Sequence, residues 1–159
     1  MKLAIVIKFI VCLALTFSVA FVGSIFTRDA VPDWYAALNK PSFTPPNWLF
    51  GPVWTILYLL MSISAFIVWQ KGLTQSAGRI ALIFYLIQLI LNALWSVIFF
   101  GLKLPLAAFI EIILLWSSIV FTILTFARVS MLAAVLLVPY ILWVFFAAVL
   151  NFFIWFLNR

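Results

Sequence analysis

The run IALIFYLIQLILNALWSVIFF, from Ile80 to Phe100, decides the fold. It carries no charge, and its polar side chains recur at helical rather than alternating spacing. A helix needs about 20 predominantly apolar residues to cross the hydrocarbon core of a bilayer. Ile80 to Phe100 meets that requirement, and four other stretches do so as well: Leu3 to Phe26, Trp48 to Trp69, Leu104 to Phe126 and Met131 to Phe156. The apolar runs are continuous, which excludes the dyad pattern of a membrane β-barrel. The expected fold is therefore all-α, an integral membrane bundle of five transmembrane helices forming one domain over residues 1–159.

Composition agrees. Hydrophobic residues make up 69% of the 159 residues and charged residues 8%, whereas soluble domains run near half apolar and a quarter charged. The absence of His removes an imidazole base and a His metal ligand, and the single Cys removes an internal disulfide. Three acidic residues in total leave little for a carboxylate-paired active site, and no metal site is expected. The net charge of +6 comes from scattered Lys and Arg with no basic stripe, so nucleic acid is not an expected partner. Cations placed this way suit helix ends near lipid headgroups.

The segments Lys71 to Arg79, Gly101 to Lys103 and Arg128 to Ser130 are short polar connections that force antiparallel neighbours. Thr27 to Asn47 is the exception, a long connection rich in Pro and Trp that is expected to fold onto the helix ends as a capping loop. Ser18-Val19-Ala20 has the look of a signal-peptide cleavage site, but the apolar run continues to Phe26 and reads as a span. Basic residues number five on the amino-terminal side and four on the other, a slight bias toward an inside amino terminus.

The spans carry polar groups at costly depth. Glu111 and Asn92 lie about 10–13 Å from the same membrane surface. Tyr85, Gln88, Asn92, Trp95 and Phe99 share one helix face; Trp143, Ala147 and Asn151 share another; Trp54, Tyr58, Met61, Ala65 and Trp69 make a third. Faces that mix aromatic planes with a few amides describe a pocket for a flat, largely apolar ligand with polar edges. Asn92 also reads as a helix–helix hydrogen-bonding residue, and Glu111 as a buried structural acid. Trp34, Trp48, Trp69 and Trp155 read as interfacial belt residues, and Pro139 should kink the fifth helix.

Trp34-Tyr35-x-x-Leu38-x-Lys40-Pro41-Ser42-Phe43-Thr44-Pro45-Pro46, followed by Phe50-Gly51-Pro52-Val53-Trp54-Thr55, resembles the TspO/MBR family of tryptophan-rich sensory and translocator proteins. Gln88-Leu89-x-Leu91-Asn92-x-x-Trp95-Ser96-x-x-Phe99-Phe100-Gly101 and Pro139-Tyr140-x-x-Trp143-x-x-Phe146-Ala147-x-x-Leu150-Asn151 continue the match in order. The resemblance implies a five-helix bundle in a bacterial cell membrane, usually a homodimer, with one pocket per subunit closed by the first loop. It implies binding of porphyrins such as protoporphyrin IX or haem, and of isoquinoline- or benzodiazepine-type molecules. It implies a role as sensor or regulator of tetrapyrrole metabolism, with transport or light- and oxygen-dependent porphyrin degradation as alternatives. Carried over by motif, the ligand-binding residues are Tyr35, Trp54, Asn92, Trp95, Glu111, Trp143, Ala147 and Leu150, and the porphyrin-degrading pair would be Trp54 and Trp143. Phe152 stands where the family's sterol motif requires Tyr, and Phe43 where Trp is commoner. The third span lacks a small-xxx-small pattern, so dimerisation rests on the resemblance.

Overall fold

The computed structural model describes residues 2–72 and 76–159. Leu73, Thr74 and Gln75 of the second connection lie outside the described residues. The elements are α1 (Lys2–Ala30), α2 (Asn47–Gly72), α3 (Ser76–Ser96), α4 (Pro105–Ala127), α5 (Met131–Leu136) and α6 (Val138–Leu157). A wide π turn extends α1 over Val31–Tyr35, and another extends α3 over Val97–Gly101. Five helices are long and apolar enough to cross a membrane, Leu3–Tyr35, Asn47–Gly72, Ser76–Gly101, Pro105–Ala127 and Met131–Leu157, with α5 and α6 together forming the last. No strand occurs among the described residues.

The bundle packs α3 on α4, α1 on α2 and α4 on α6. Its buried seam holds Met61, Ala65 and Val68 from α2, Tyr85 and Leu89 from α3, and Ile112, Leu115 and Ile119 from α4. The outer faces are equally apolar: Ile83, Ile87, Ile90 and Leu94 of α3 and Ile110, Ile113 and Leu114 of α4 are exposed. A soluble bundle would place charge there, whereas lipid accepts an apolar face. Several buried hydroxyl groups find partners inside the protein. The Thr16, Ser62 and Thr122 hydroxyls donate to carbonyls one turn back, on Cys12, Tyr58 and Ser118.

Pro139 breaks the fifth span at Leu137, as its missing N–H requires. The Leu137 N–H bonds to the Ala134 carbonyl at 3.1 Å. The Ala133 carbonyl is taken by the Ser64 hydroxyl at 2.6 Å, which ties the break to α2. At the carboxyl end of α2, Gly72 and Gly78 meet so closely that a Cβ at Gly78 would overlap the Gly72 carbonyl.

The first connection is shorter than the expected Thr27–Asn47. Residues 27–37 remain helical, and irregular backbone is confined to residues 38–46. The π turn over Val31–Tyr35 carries the chain past Pro32, which stands in the first turn of that segment, where the N–H that proline lacks is missed least. The span Leu3–Tyr35 has 33 residues, or about 50 Å at 1.5 Å per residue, against about 30 Å of hydrocarbon. Its end therefore projects beyond the core and carries the cap.

Candidate ligand-binding cavity

A cavity of about 640 Å³ lies between α1, α2, α3 and α6 at the end of the bundle where the cap docks. That volume suits a ligand of drug or cofactor size. Tyr35, Trp54, Asn92, Trp95, Trp143, Ala147 and Leu150 all line it, so seven of the expected site residues come together.

The floor is a hydrogen-bonded chain. The Tyr58 hydroxyl donates to Asn92 Oδ1 at 2.8 Å, Asn92 Nδ2 donates to the Tyr140 hydroxyl at 3.0 Å, and that hydroxyl donates to Gln88 Oε1 at 2.9 Å. Four side chains from α2, α3 and α6 are thereby fixed in apolar surroundings, where an unpaired polar group costs most. Asn92 performs both roles read from its sequence position: it bonds between helices and faces the cavity.

The walls are aromatic. Trp54 stacks on Tyr58 with centroids 5.3 Å apart, and Trp95 stacks on Phe99 at 5.0 Å. The Trp95 indole N–H donates to Asn151 Oδ1 at 3.1 Å, while Asn151 Nδ2 donates to the Pro105 carbonyl at 2.8 Å. This fixes the plane of the Trp95 ring. Trp143 meets Phe50 edge-on at 5.8 Å, and its indole nitrogen has no hydrogen-bond partner among the described residues.

The cap is pinned near its start by two adjacent residues, Asn39 and Lys40. The Lys40 ammonium donates to the carbonyls of Tyr35, Leu38 and Ala36 at 2.6, 3.0 and 3.2 Å and lies 4.8 Å from the Tyr35 ring centroid. A cation on the last carbonyls of a helix meets both their hydrogen-bonding need and the negative end of the dipole. Asn39 and Asn158 exchange two hydrogen bonds, at 2.9 and 2.8 Å, which fasten the cap to the end of α6. Tyr35 packs edge-on against Phe100 at 5.9 Å, so the two π turns meet over the cavity. Trp34, read as an interfacial residue, packs edge-on against Phe99 at 5.5 Å.

Glu111 does not join the site. No residue of α4 lines the cavity. Glu111 is 5% exposed and shares a helix face with Ala108, Ile112 and Leu115, buried where α4 packs on α3 and α6. Its two carboxyl oxygens have no hydrogen-bond partner among the described residues. Depth in the membrane placed it level with Asn92, but the direction it faces around the helix separates it from the cavity.

The sequence reading missed the α1 wall. Phe17, Ala20, Gly23, Ser24, Thr27 and Arg28 line the cavity from one face of that helix. The available signal was a row of small and hydroxylated residues, Ala20, Gly23, Ser24 and Thr27, at steps of 3, 1 and 3 in an otherwise bulky span. Among the described residues no cluster of three metal-binding side chains occurs.

The TspO/MBR family matches residues 11–156. The chain belongs to the TspO/MBR family. It is 47% identical over 147 residues to a tryptophan-rich protein TspO of Chlorobaculum tepidum, covering 92% of this chain and 93% of that one. A tryptophan-rich protein TspO of Archaeoglobus fulgidus is 44% identical over 153 residues, covering 96% and 98% of the two chains. The human translocator protein is 40% identical over 137 residues, covering 85% and 80%. This TspO/MBR member is thus an integral, multi-pass membrane protein whose relatives carry both sensory and translocator names.

Proposed function

We propose that this protein binds a planar, largely apolar ligand of the tetrapyrrole class in the cavity and acts as a membrane sensor of such molecules. The observation that carries the reading is the convergence of Trp54, Trp95 and Trp143 from three helices on one cavity of about 640 Å³, over a floor of fixed polar groups. Aromatic planes favour offset or edge contacts with another flat π system, and a few fixed polar atoms set its orientation. The lining holds no His, Cys or Met, the side chains that most often ligate haem iron. A metal-free macrocycle such as protoporphyrin IX asks for no axial ligand and suits this lining better. Titration of the purified protein with protoporphyrin IX, followed by tryptophan quenching, tests the reading. Affinity should fall at least about tenfold when Trp54→Phe and Trp143→Phe are combined; unchanged affinity in that variant overturns it.

A second reading, light- and oxygen-dependent breakdown of a bound tetrapyrrole, is favoured by one feature: the indoles of Trp54 and Trp143 line the same cavity. An indole beside a photoexcited macrocycle can supply an electron, and dioxygen can receive one. Under illumination in air, loss of the Soret band should be faster for bound than for free porphyrin and should slow in the two Trp variants. Equal bleaching of bound and free porphyrin rejects it.

A further inference from the structure

The cavity is open on one side, between α1 and α2. Ser24 and Arg28 of α1 and Asn47, Gly51 and Thr55 of α2 line it and are exposed. Asn47 begins α2 and Arg28 stands near the end of α1, so both lie at the same membrane surface. From Asn47 to Thr55 the opening runs about 12 Å along α2, from headgroup level into hydrocarbon. It is a lateral slot, polar or small along both rims, that joins the cavity to one leaflet.

Arg28 is the one charged residue among those that line the cavity. Of the other cations at this end, Lys40 is engaged on three carbonyls and Arg159 over the rings of Trp155 and Phe156, and Lys103 does not line the cavity. Arg28 has none of these partners. Its neighbours Asp29 and Asp33 are exposed and do not line the cavity. Below it the walls are aromatic down to Tyr58 and Asn92. A site of this shape, cationic at the headgroup level and aromatic beneath, matches an amphiphile with its acid at one end.

Resting on the tetrapyrrole reading above, we propose that Arg28 receives a carboxylate of the ligand at the slot. The preferred ligands are then planar acids that enter from the leaflet with the ring system leading. A guanidinium binds a carboxylate through two parallel N–H donors, and such charge-assisted pairs exceed neutral hydrogen bonds in strength. The same chemistry is offered by the phosphate of an anionic lipid, and the experiment must separate the two.

The full chain in phosphatidylcholine nanodiscs is titrated with protoporphyrin IX and with its dimethyl ester, as wild type and as Arg28→Gln. Arg28 is exposed, so the variant should fold. Wild type should bind the diacid about tenfold more tightly than the diester. Arg28→Gln should erase that preference and leave diester binding unchanged. A preference that survives in Arg28→Gln overturns the proposal while leaving the cavity reading intact. Binding of neither compound to wild type overturns both. A third arm uses brominated phosphatidylglycerol as quencher. If Arg28→Gln weakens quenching by that lipid and leaves the diacid-to-diester ratio unchanged, the cation belongs to a lipid headgroup and the proposal fails.

Discussion

Asn92 is the residue on which the floor of the cavity depends. It accepts from Tyr58 and donates to Tyr140, and both hydroxyls are buried. Replacing it by Leu fills the volume but strips partners from two buried groups. Asn92→Leu should cost about 1–3 kcal/mol, read as a lower midpoint of thermal unfolding in detergent, and a change smaller than Tyr58→Phe alone produces would contradict the network. Glu111 predicts the opposite sign. Its oxygens lack hydrogen-bond partners among the described residues, and a carboxyl group in that position is a cost that an apolar side chain would not carry. Glu111→Leu should therefore raise the unfolding midpoint and leave porphyrin affinity unchanged. A drop in affinity would return Glu111 to the site. The two residues also show what a sequence can reveal at this scale. Both were legible as expensive polar groups at similar depth. Only the angle around each helix distinguishes a cavity lining from a packed interface, and α4 carries no aromatic-and-amide stripe to fix that angle.

At the scale of elements, the spans were legible because lipid demands unbroken hydropathy, and Pro139 announced the break at Leu137 through its missing N–H. The end of α1 was not legible. Arg28, Asp29, Pro32 and Asp33 look like the start of a loop, and nothing in composition encodes a π turn that lets the helix continue. The α1 wall was missed because small residues in a span normally signal close helix packing; Gly23 does pack closely on Ser96, and the same row also lines the cavity. The cap follows from this extension. Lys40 holds three carbonyls at its helical end, so Lys40→Met should free the segment 35–46. The measurement is amide hydrogen exchange, which should quicken there, together with a faster ligand off-rate; exchange unchanged in that segment would show that Asn39 and Asn158 suffice. The α2–α3 junction is a second constraint. Gly78→Ala drives a methyl group into the Gly72 carbonyl, and backbone on both sides leaves no flexible atom to yield. That variant should show a clear loss of thermal stability, whereas Gly51→Ala, with open space around it, should not.

At the scale of the whole molecule, the bundle divides into a tightly packed part built on α2, α3, α4 and α6 and a peripheral α1. Only 17% of the apolar stretch of α1 is buried, against 39% for α2 and for α4. Yet α1 supplies one rim of the slot, one wall of the cavity and the stem of the cap. Its apolar run Leu3–Phe26 is about 36 Å long, about 6 Å more than the hydrocarbon thickness, and a hydrophobic span that is too long tilts further as the surrounding bilayer thins. Tilting α1 changes the width of the slot and the lean of the cap together. Ligand affinity in this protein should thus vary with acyl-chain length, so that short-chain and long-chain lipids give different dissociation constants for one and the same porphyrin, and the mechanical state of the membrane becomes an input to chemical sensing.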